Sequence, residues 1–293
     1  MIAINTIINL ISVRSVSILM TFLCVGILSS CSGSVSGPEI NFPGVGFNSS
    51  DPDFTVKKTF EDDFPVENHI RVNVEAINGE VVVTGQSDAK SVMISAHLYV
   101  TSDSREDAEL HIEDLDILVT DGTDEILIQT VQPENFNGRK YIVEYDIIVP
   151  DTFEVVTSQV NGTIAILDIQ NSVEVFNENG DVLLHGIVAG ITADVENGGI
   201  EAIVILPINE TIDLSVKNGG LVISIPTSTS AEFSATVAGT GAIIVSDLDI
   251  EDSLSTSKSL TGTLGNGEGS ITLSTVNGNI EITVSTDAEN LTD

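Results

Sequence analysis

The sequence predicts an all-β protein, and three observations support this fold class. Hydrophobic residues make up 42% of the chain, aromatic residues only 4%, and Trp is absent, so Val, Ile, Leu and Ala supply the apolar fraction. The β-branched members of that set favour strands. Short runs such as Val92 to Val100 and Tyr141 to Val149 alternate apolar with polar residues, which is typical of half-buried strands. From Pro150 onwards, an Asn-Gly dipeptide recurs before similar short apolar strands.

The Asn-Gly dipeptides predict a β-solenoid over residues 150–285. They begin at Asn161, Asn179, Asn197 and Asn218, in steps of 18, 18 and 21 residues, and each step has room for one coil of two or three short strands. In stacked coils the Asn side chains would hydrogen-bond along a column, and Gly would supply the positive φ of a corner. The predicted corner residues are Asn161, Gly162, Asn179, Gly180, Asn197, Gly198, Asn218, Gly219, Asn277 and Gly278. The alternative is an antiparallel β-sandwich or meander, since Asn-Gly between alternating runs also favours hairpins.

Residues 54–149 are predicted to form a β-rich N-terminal subdomain that carries one short helix. The helix is expected around Ser104 to Leu110, because Ser104 is a suitable N-cap, acidic residues fill the first turn, and Pro and Gly are absent. The remaining apolar runs of this part, from Val72 to Val149, are predicted strands. The segment Asp121 to Asp124 is predicted to be a hairpin turn.

The N-terminus is predicted to be a lipoprotein signal peptide, residues 1–30. Arg14 precedes an apolar run, and Leu28-Ser29-Ser30-Cys31 is similar to the lipobox of bacterial lipoproteins. We therefore expect an exported protein, acylated on Cys31, in the outer membrane or at the cell surface, with an uncleaved signal anchor as the alternative. Residues 31–53 would form a flexible spacer and residues 286–293 an acidic tail.

Charge excludes one class of partner and leaves one weak metal candidate. The formal net charge is −34, so the chain would repel nucleic acid. Asp247, Asp249 and Glu251 would lie on one side of a strand if Asp247 to Asp252 were extended, which suits calcium, although an acidic strand edge also blocks sheet pairing. No cofactor is predicted.

The sequence does not predict an enzyme. The four His residues have no ligand spacing, and the Gly-rich segment Gly265 to Gly269 lacks the Lys-Ser or Lys-Thr of a phosphate loop. A glycan-active enzyme stays open as an alternative, because carboxylates are abundant, but Trp is absent and Lys217 and Lys258 are the only basic residues after Lys140.

Three segments resemble the DUF4097 family of adhesin-like proteins: Val72 to Val83, Ile147 to Ile164 and Gly267 to Ile280. The resemblance extends from about Val56 to Val284. It implies a bacterial envelope protein with β-strand repeats in a right-handed parallel β-helix and no established catalytic activity. The chain is therefore expected to be a non-catalytic interaction module, with an envelope-stress sensor as the alternative. Expected partners are the membrane, through the lipid anchor, and an envelope or surface protein or glycan; self-association is also open.

Overall fold

The computed structural model describes residues 53–66 and 68–285. The predicted signal peptide, Cys31, all of the predicted spacer except Asp53, and the predicted acidic tail lie outside the described residues.

Strands dominate the described residues, and the prediction of an all-β fold is confirmed. The strands are β1 (Phe54–Pro65), β2 (Arg71–Gln86), β3 (Ser91–Ser102), β4 (Asp116–Asp121), β5 (Glu125–Val131), β6 (Lys140–Pro150), β7 (Glu154–Leu167), β8 (Val173–Asn179), β9 (Val182–Val188), β10 (Ile191–Asn197), β11 (Ile200–Ile205), β12 (Thr211–Asn218), β13 (Leu221–Ile225), β14 (Ala231–Val237), β15 (Ile243–Val245), β16 (Glu251–Ser255), β17 (Ser259–Leu264), β18 (Gly269–Asn277) and β19 (Ile280–Val284).

The single α-helix of the described residues, α1 (Arg105–His111), lies where the sequence predicts it. The Ser104 side chain accepts a hydrogen bond from the Asp107 amide at 3.1 Å, as an N-cap does. Asp107 ties the helix to the sheet: Arg139 donates to its two carboxylate oxygens at 2.6 and 2.7 Å, and Ser102 donates at 2.5 Å. The hydrogen bonds from Arg139 and then Ser102 hold the pKa of Asp107 well below its usual range.

The strands pair in two long columns. Column one runs in the order β4, β5, first half of β2, first half of β7, β8, β10, β12, β18, β14, β17, β16. Column two runs in the order β1, β3, β6, second half of β2, second half of β7, β9, β11, β13, β19, β15. Pairing is parallel from β5 to β14 and from β6 to β15, and antiparallel outside these stretches, so the sheet is mixed.

The spatial order of the strands differs from their order in the chain at both ends. The last two strands, β18 and β19, insert between β12 and β13 on one side and β14 and β15 on the other. Near the N-terminus, β2 lies between β7 and the pair β5 and β6. Of the first and last strands of the parallel stretches, β5, β6 and β14 have a strand partner on both sides, whereas β15 pairs with β19 alone. A second partner leaves fewer unpaired backbone groups at an edge.

The core lies on the inward sides of the two columns. In column two, Val182 and Leu184 are 1% and 0% exposed, while Leu183 between them faces outwards and is half-buried. The same period-two pattern repeats in the paired strands, and Ile200, Leu221 and Ile280 continue the row of Val182. Because each inward side chain packs on a similar one in the next strand, the core is continuous along the stack.

Candidate interaction surface

The predicted corner asparagines form a continuous ladder of side-chain hydrogen bonds. Each Asn Nδ2 donates to the Oδ1 of the preceding Asn in the stack: Asn161 to Asn78 at 2.8 Å, Asn179 to Asn161 at 3.1 Å, Asn197 to Asn179 at 3.0 Å, Asn218 to Asn197 at 3.0 Å and Asn277 to Asn218 at 3.0 Å. Both ends are closed, since Asn78 Nδ2 donates to the Tyr141 carbonyl and the Thr240 hydroxyl donates to Asn277 Oδ1. The amides therefore bind one another and hold the corners in register.

Asn78 is a ladder member that the sequence prediction missed. It precedes Gly79 in the middle of β2, and Asn78-Gly79 pairs in register with Asn161-Gly162 of β7. The signal was present, because the same dipeptide follows the alternating residues Val72, Val74 and Ala76. The predicted division near Pro150 remains a prediction, but the corner series extends across it to Asn78.

Each corner glycine packs directly on the next one. Gly180 has φ +136°, and a Cβ atom there would overlap the carbonyl oxygen of Gly162. Glycine is needed at this corner both for its backbone conformation and for the close approach of two chains.

Two buried amides behind the ladder were also missed by the sequence prediction. Gln159 and Asn177 are 2% and 0% exposed. Gln159 Nε2 donates to the Gly79 carbonyl at 2.7 Å, and Asn177 Nδ2 donates to the Gly162 carbonyl at 2.9 Å. These side chains stabilise the corners from inside by satisfying carbonyl groups that the turn would leave unpaired.

The structure does not assemble the calcium candidate. The expected strand begins only at Glu251, so Asp247 and Asp249 precede it in an irregular segment, in which Asp247 has φ +59°. The alternation that would align Asp247, Asp249 and Glu251 is therefore absent. Within residues 53–66 and 68–285, no group of three or more His, Cys, Asp or Glu residues is arranged to hold a metal ion.

Two clefts are lined by hydroxyl, amide and carboxylate groups. The larger, of about 400 Å³, lies over β14, β17 and β18 and includes Glu232 and Asp252. The smaller, of about 300 Å³, includes Asp151, Asp168 and Gln170. Neither lining contains a His, Cys, Lys or Arg residue. In the smaller cleft Gln170 donates to Asp151 at 2.9 Å, and burial raises the pKa of Asp168, opposed by the charge of His185.

Asp168→Asn is expected to stabilise the protein at neutral pH. Because the folded-state pKa of Asp168 is raised, its contribution to stability is fully present below the unfolded-state pKa and is lost as pH rises through the folded-state pKa. The amide removes that loss, and Asn tolerates the φ of +57° at this position. Urea unfolding at acid and neutral pH measures the difference. A variant less stable than wild type at neutral pH would contradict this expectation.

The outward sides of the two columns differ in chemistry. In column one, β8, β10 and β12 present mainly polar side chains, and Phe176 is the exposed large apolar residue there, 40% exposed. The acidic side chains of that face are Glu174, Glu178, Asp194, Glu196 and Asp213. The single basic side chain of these three strands, Lys217, lies 3.4 Å from Glu196. This face carries a strong negative charge.

Column two presents an apolar patch on its outward side. We define the patch as Val82, Met93, Ile148, Ala165, Leu167 and Leu183. Val82, Ala165 and Leu183 are successive partners across three strands. In the adjoining row Met93 pairs with Ile148, and Thr84 lies between Ile148 and Leu167. Glu201 continues the first row beyond Leu183, and its neighbour His185 lowers the pKa of Glu201 through a contact of 3.4 Å. The patch is therefore mainly apolar, with a polar rim.

The sequence prediction also missed this patch. Its signal is the replacement of alternation by unbroken apolar runs, such as Val81 to Val83 and Ile164 to Leu167. Unbroken runs are typical of strands that are covered on both faces. Here Ala165 is buried, at 8% exposed, Val82 and Leu167 are half-buried, and Met93 on the neighbouring strand β3 is 38% exposed.

Comparison with solved structures finds bacterial proteins that match this chain with low sequence identity and low TM-scores. A candidate cell adhesion protein from Clostridium sporogenes is 12% identical, with a TM-score of 0.41, covering 78% of this chain and 100% of that chain. A candidate adhesin from Bacteroides fragilis is 12% identical, with a TM-score of 0.27 and coverages of 78% and 97%. A candidate lipid-binding protein from Parabacteroides distasonis is 14% identical, with a TM-score of 0.25 and the same coverages.

No protein-family model matches the chain, and no curated protein matches it. Among the described residues, no helix combines the length and apolarity needed to cross a bilayer.

Proposed function

We propose that this chain is a non-catalytic, adhesin-like interaction module that is held at the cell envelope by an acylated Cys31. In this proposal the two columns are faces of a right-handed parallel β-helix of the DUF4097 type, displayed on the spacer of residues 31–53. The observation that carries the proposal is the apolar patch on the outward side of column two. Apolar side chains that face outwards together on a folded protein commonly mark a site of association.

The chemistry of the patch favours a protein partner. Val82, Ala165 and Leu183 lie on hydrogen-bonded strands, so their positions are fixed before binding and little conformational entropy is lost. An apolar centre with a polar rim, here Glu201 and His185, is the usual arrangement of a protein–protein interface. The acidic face of column one would stay in solvent and oppose association through that side.

The test compares two substitutions of an apolar residue by Glu on opposite faces. Leu183→Glu places a charge within the patch, at the end of its row nearest Glu201, whereas Phe176→Glu makes a similar change on the acidic face. Envelope proteins are crosslinked in intact cells and recovered with the wild-type chain and with each variant, after circular dichroism has shown that both variants fold. We expect the amount of crosslinked partner recovered with Leu183→Glu to fall about tenfold or more below wild type. Recovery with Phe176→Glu should equal that of wild type. Equal recovery with both variants would overturn the assignment of the patch.

Anchoring is tested separately. Cells that produce wild type or Cys31→Ala are labelled with an acyl-chain probe and then treated with protease. We expect the probe to label only the wild-type chain, and protease to remove the folded domain from intact cells. Equal labelling of the two chains would contradict lipidation at Cys31, and protection from protease would contradict surface display.

A further inference from the structure

Eight Asn-Gly dipeptides in this chain are candidates for one spontaneous reaction. They begin at Asn78, Asn137, Asn161, Asn179, Asn197, Asn218, Asn266 and Asn277. In deamidation, the glycine backbone nitrogen attacks the Asn side-chain carbonyl carbon, the side-chain nitrogen leaves as ammonia, and a cyclic succinimide forms. Water then opens the ring to aspartate or isoaspartate. Glycine permits the attack because it has no side chain to obstruct it.

The ladder opposes this reaction at six of the eight positions. The six side-chain amides hydrogen-bond one another. The reacting N–H is also occupied at four of the corners, where Gly180, Gly198, Gly219 and Gly278 each donate to a backbone carbonyl of the adjacent chain segment. The Gly180 amide donates to the Asn197 carbonyl at 2.8 Å, and the Gly198 amide donates to the Asn218 carbonyl at 3.0 Å. Attack would require the loss of these bonds together, which raises the barrier.

Asn137-Gly138 lies outside the ladder, in the turn between β5 and β6. Asn137 and Gly138 have φ of +48° and +85°, and the Arg139 amide donates to the Phe136 carbonyl at 2.9 Å to close the turn. Neither the Asn137 side-chain amide nor the Gly138 N–H makes a hydrogen bond within the described residues. The space beside Gly138 is open, since a Cβ there would have no atom within 4 Å.

Asn266-Gly267 is intermediate between these two situations. Its side chain also lies in a turn outside the ladder, but the Gly267 amide donates to the Leu264 carbonyl at 3.1 Å. One of the two reacting groups is therefore occupied, so its reactivity should fall between that of Asn137 and that of the ladder.

Deamidation at Asn137 would act on the attachment of helix α1. Arg139, two residues further on, holds Asp107 of α1 through two hydrogen bonds. Isoaspartate lengthens the backbone within the turn and so disturbs the bond between Arg139 and Phe136. Either product also adds a carboxylate near the guanidinium, which competes with Asp107 for it.

We propose that Asn137 is the preferred deamidation site of the folded protein, and that its conversion loosens α1 from the sheet. The inference is independent of the partner and the anchor proposed above. The ladder is then a protective arrangement as well as a structural one, because it keeps six reactive dipeptides intact.

The test follows deamidation at all eight positions by peptide mass spectrometry. The purified chain is incubated in heavy-oxygen water at mildly alkaline pH, so that only products formed before digestion carry the label. We expect Asn137 to react at least about tenfold faster than any ladder Asn, with Asn266 between them. In urea the eight rates should converge. Similar rates in the folded chain, or faster reaction of a ladder Asn, would overturn the site assignment.

The effect on α1 is measured by hydrogen exchange. In wild-type protein, amide exchange of residues 105–111 should become faster during the incubation, in proportion to the conversion of Asn137. It should stay constant in the control Asn137→Gln, because the longer Gln side chain cyclises poorly. Unchanged exchange in fully converted protein would overturn the second part of the proposal while leaving the first intact.

Discussion

Gly180→Ala is expected to destabilise the protein by about 2–6 kcal/mol, the sum of a strained backbone at about 1–3 kcal/mol and a steric overlap at about 1–3 kcal/mol. The strain arises because Gly180 has φ +136°, and the overlap because a Cβ there would meet the Gly162 carbonyl. Relief would require the two stacked corners to separate, which would also lengthen the hydrogen bond from Asn179 to Asn161. Urea unfolding of the purified chain measures the loss.

Gly138→Ala is the matched control for this substitution. Gly138 also has a positive φ, +85°, but a Cβ there meets nothing within 4 Å, so only the strain of about 1–3 kcal/mol remains. The difference between the two variants isolates the cost of the overlap. Equal losses would show that the stacking of the corner glycines adds nothing to the backbone requirement.

Asn197→Ala, in the middle of the ladder, is expected to cost about 2–4 kcal/mol, since each lost hydrogen bond contributes about 0.5–1.5 kcal/mol. Asn197 Nδ2 donates to Asn179 Oδ1 at 3.0 Å and to the Glu178 carbonyl at 3.3 Å, and its Oδ1 accepts from Asn218 at 3.0 Å. The substitution interrupts the ladder on both sides. Thermal or urea unfolding measures the change.

Asn266→Ala provides the comparison, because the Asn266 side chain lies in a turn outside the ladder and only its backbone amide bonds to Ser230. We expect a change within about 0.5 kcal/mol of wild type. Asn197→Asp should be at least as harmful as Asn197→Ala, since a carboxylate cannot donate to Asn179 and instead faces its oxygen. A stable Asn197→Asp variant would contradict the account of the ladder as a chain of donors and acceptors.

Local features of the fold could be predicted from the sequence because their causes are local. Alternation and β-branched residues determine strands, and Ser104 followed by an acidic turn determines the start of α1. Repetition of Asn-Gly indicated which residues would share a column. The ladder contains Asn161, Asn179, Asn197, Asn218 and Asn277. Asn78 was missed, although its dipeptide is the same, because the strands from β3 to β6 separate it from the next repeat in the chain.

The candidate site was less accessible to prediction. The outward residue Leu183 is as hydrophobic as its inward neighbours Val182 and Leu184, so the sequence does not distinguish them. Only the register with Ala165 and Val82 shows that a patch forms. The calcium candidate failed for the opposite reason. Its alternation required a strand from Asp247, but the chain is irregular there and turns at Asp247 with a positive φ.

The sequence by itself determined that this protein is built of β-strands, that Asn-Gly corners recur, and that the chain is strongly acidic, because each of these depends on neighbouring residues or on composition. Only the tertiary structure decided that β18 and β19 insert ahead of β14 and β15, and that β2 joins the stack beside β7. It also decided that one outward side carries an apolar patch while the other is acidic. The physical reason is that parallel partners are chosen by packing and backbone hydrogen bonds between strands far apart in the chain, about which a local pattern contains no information.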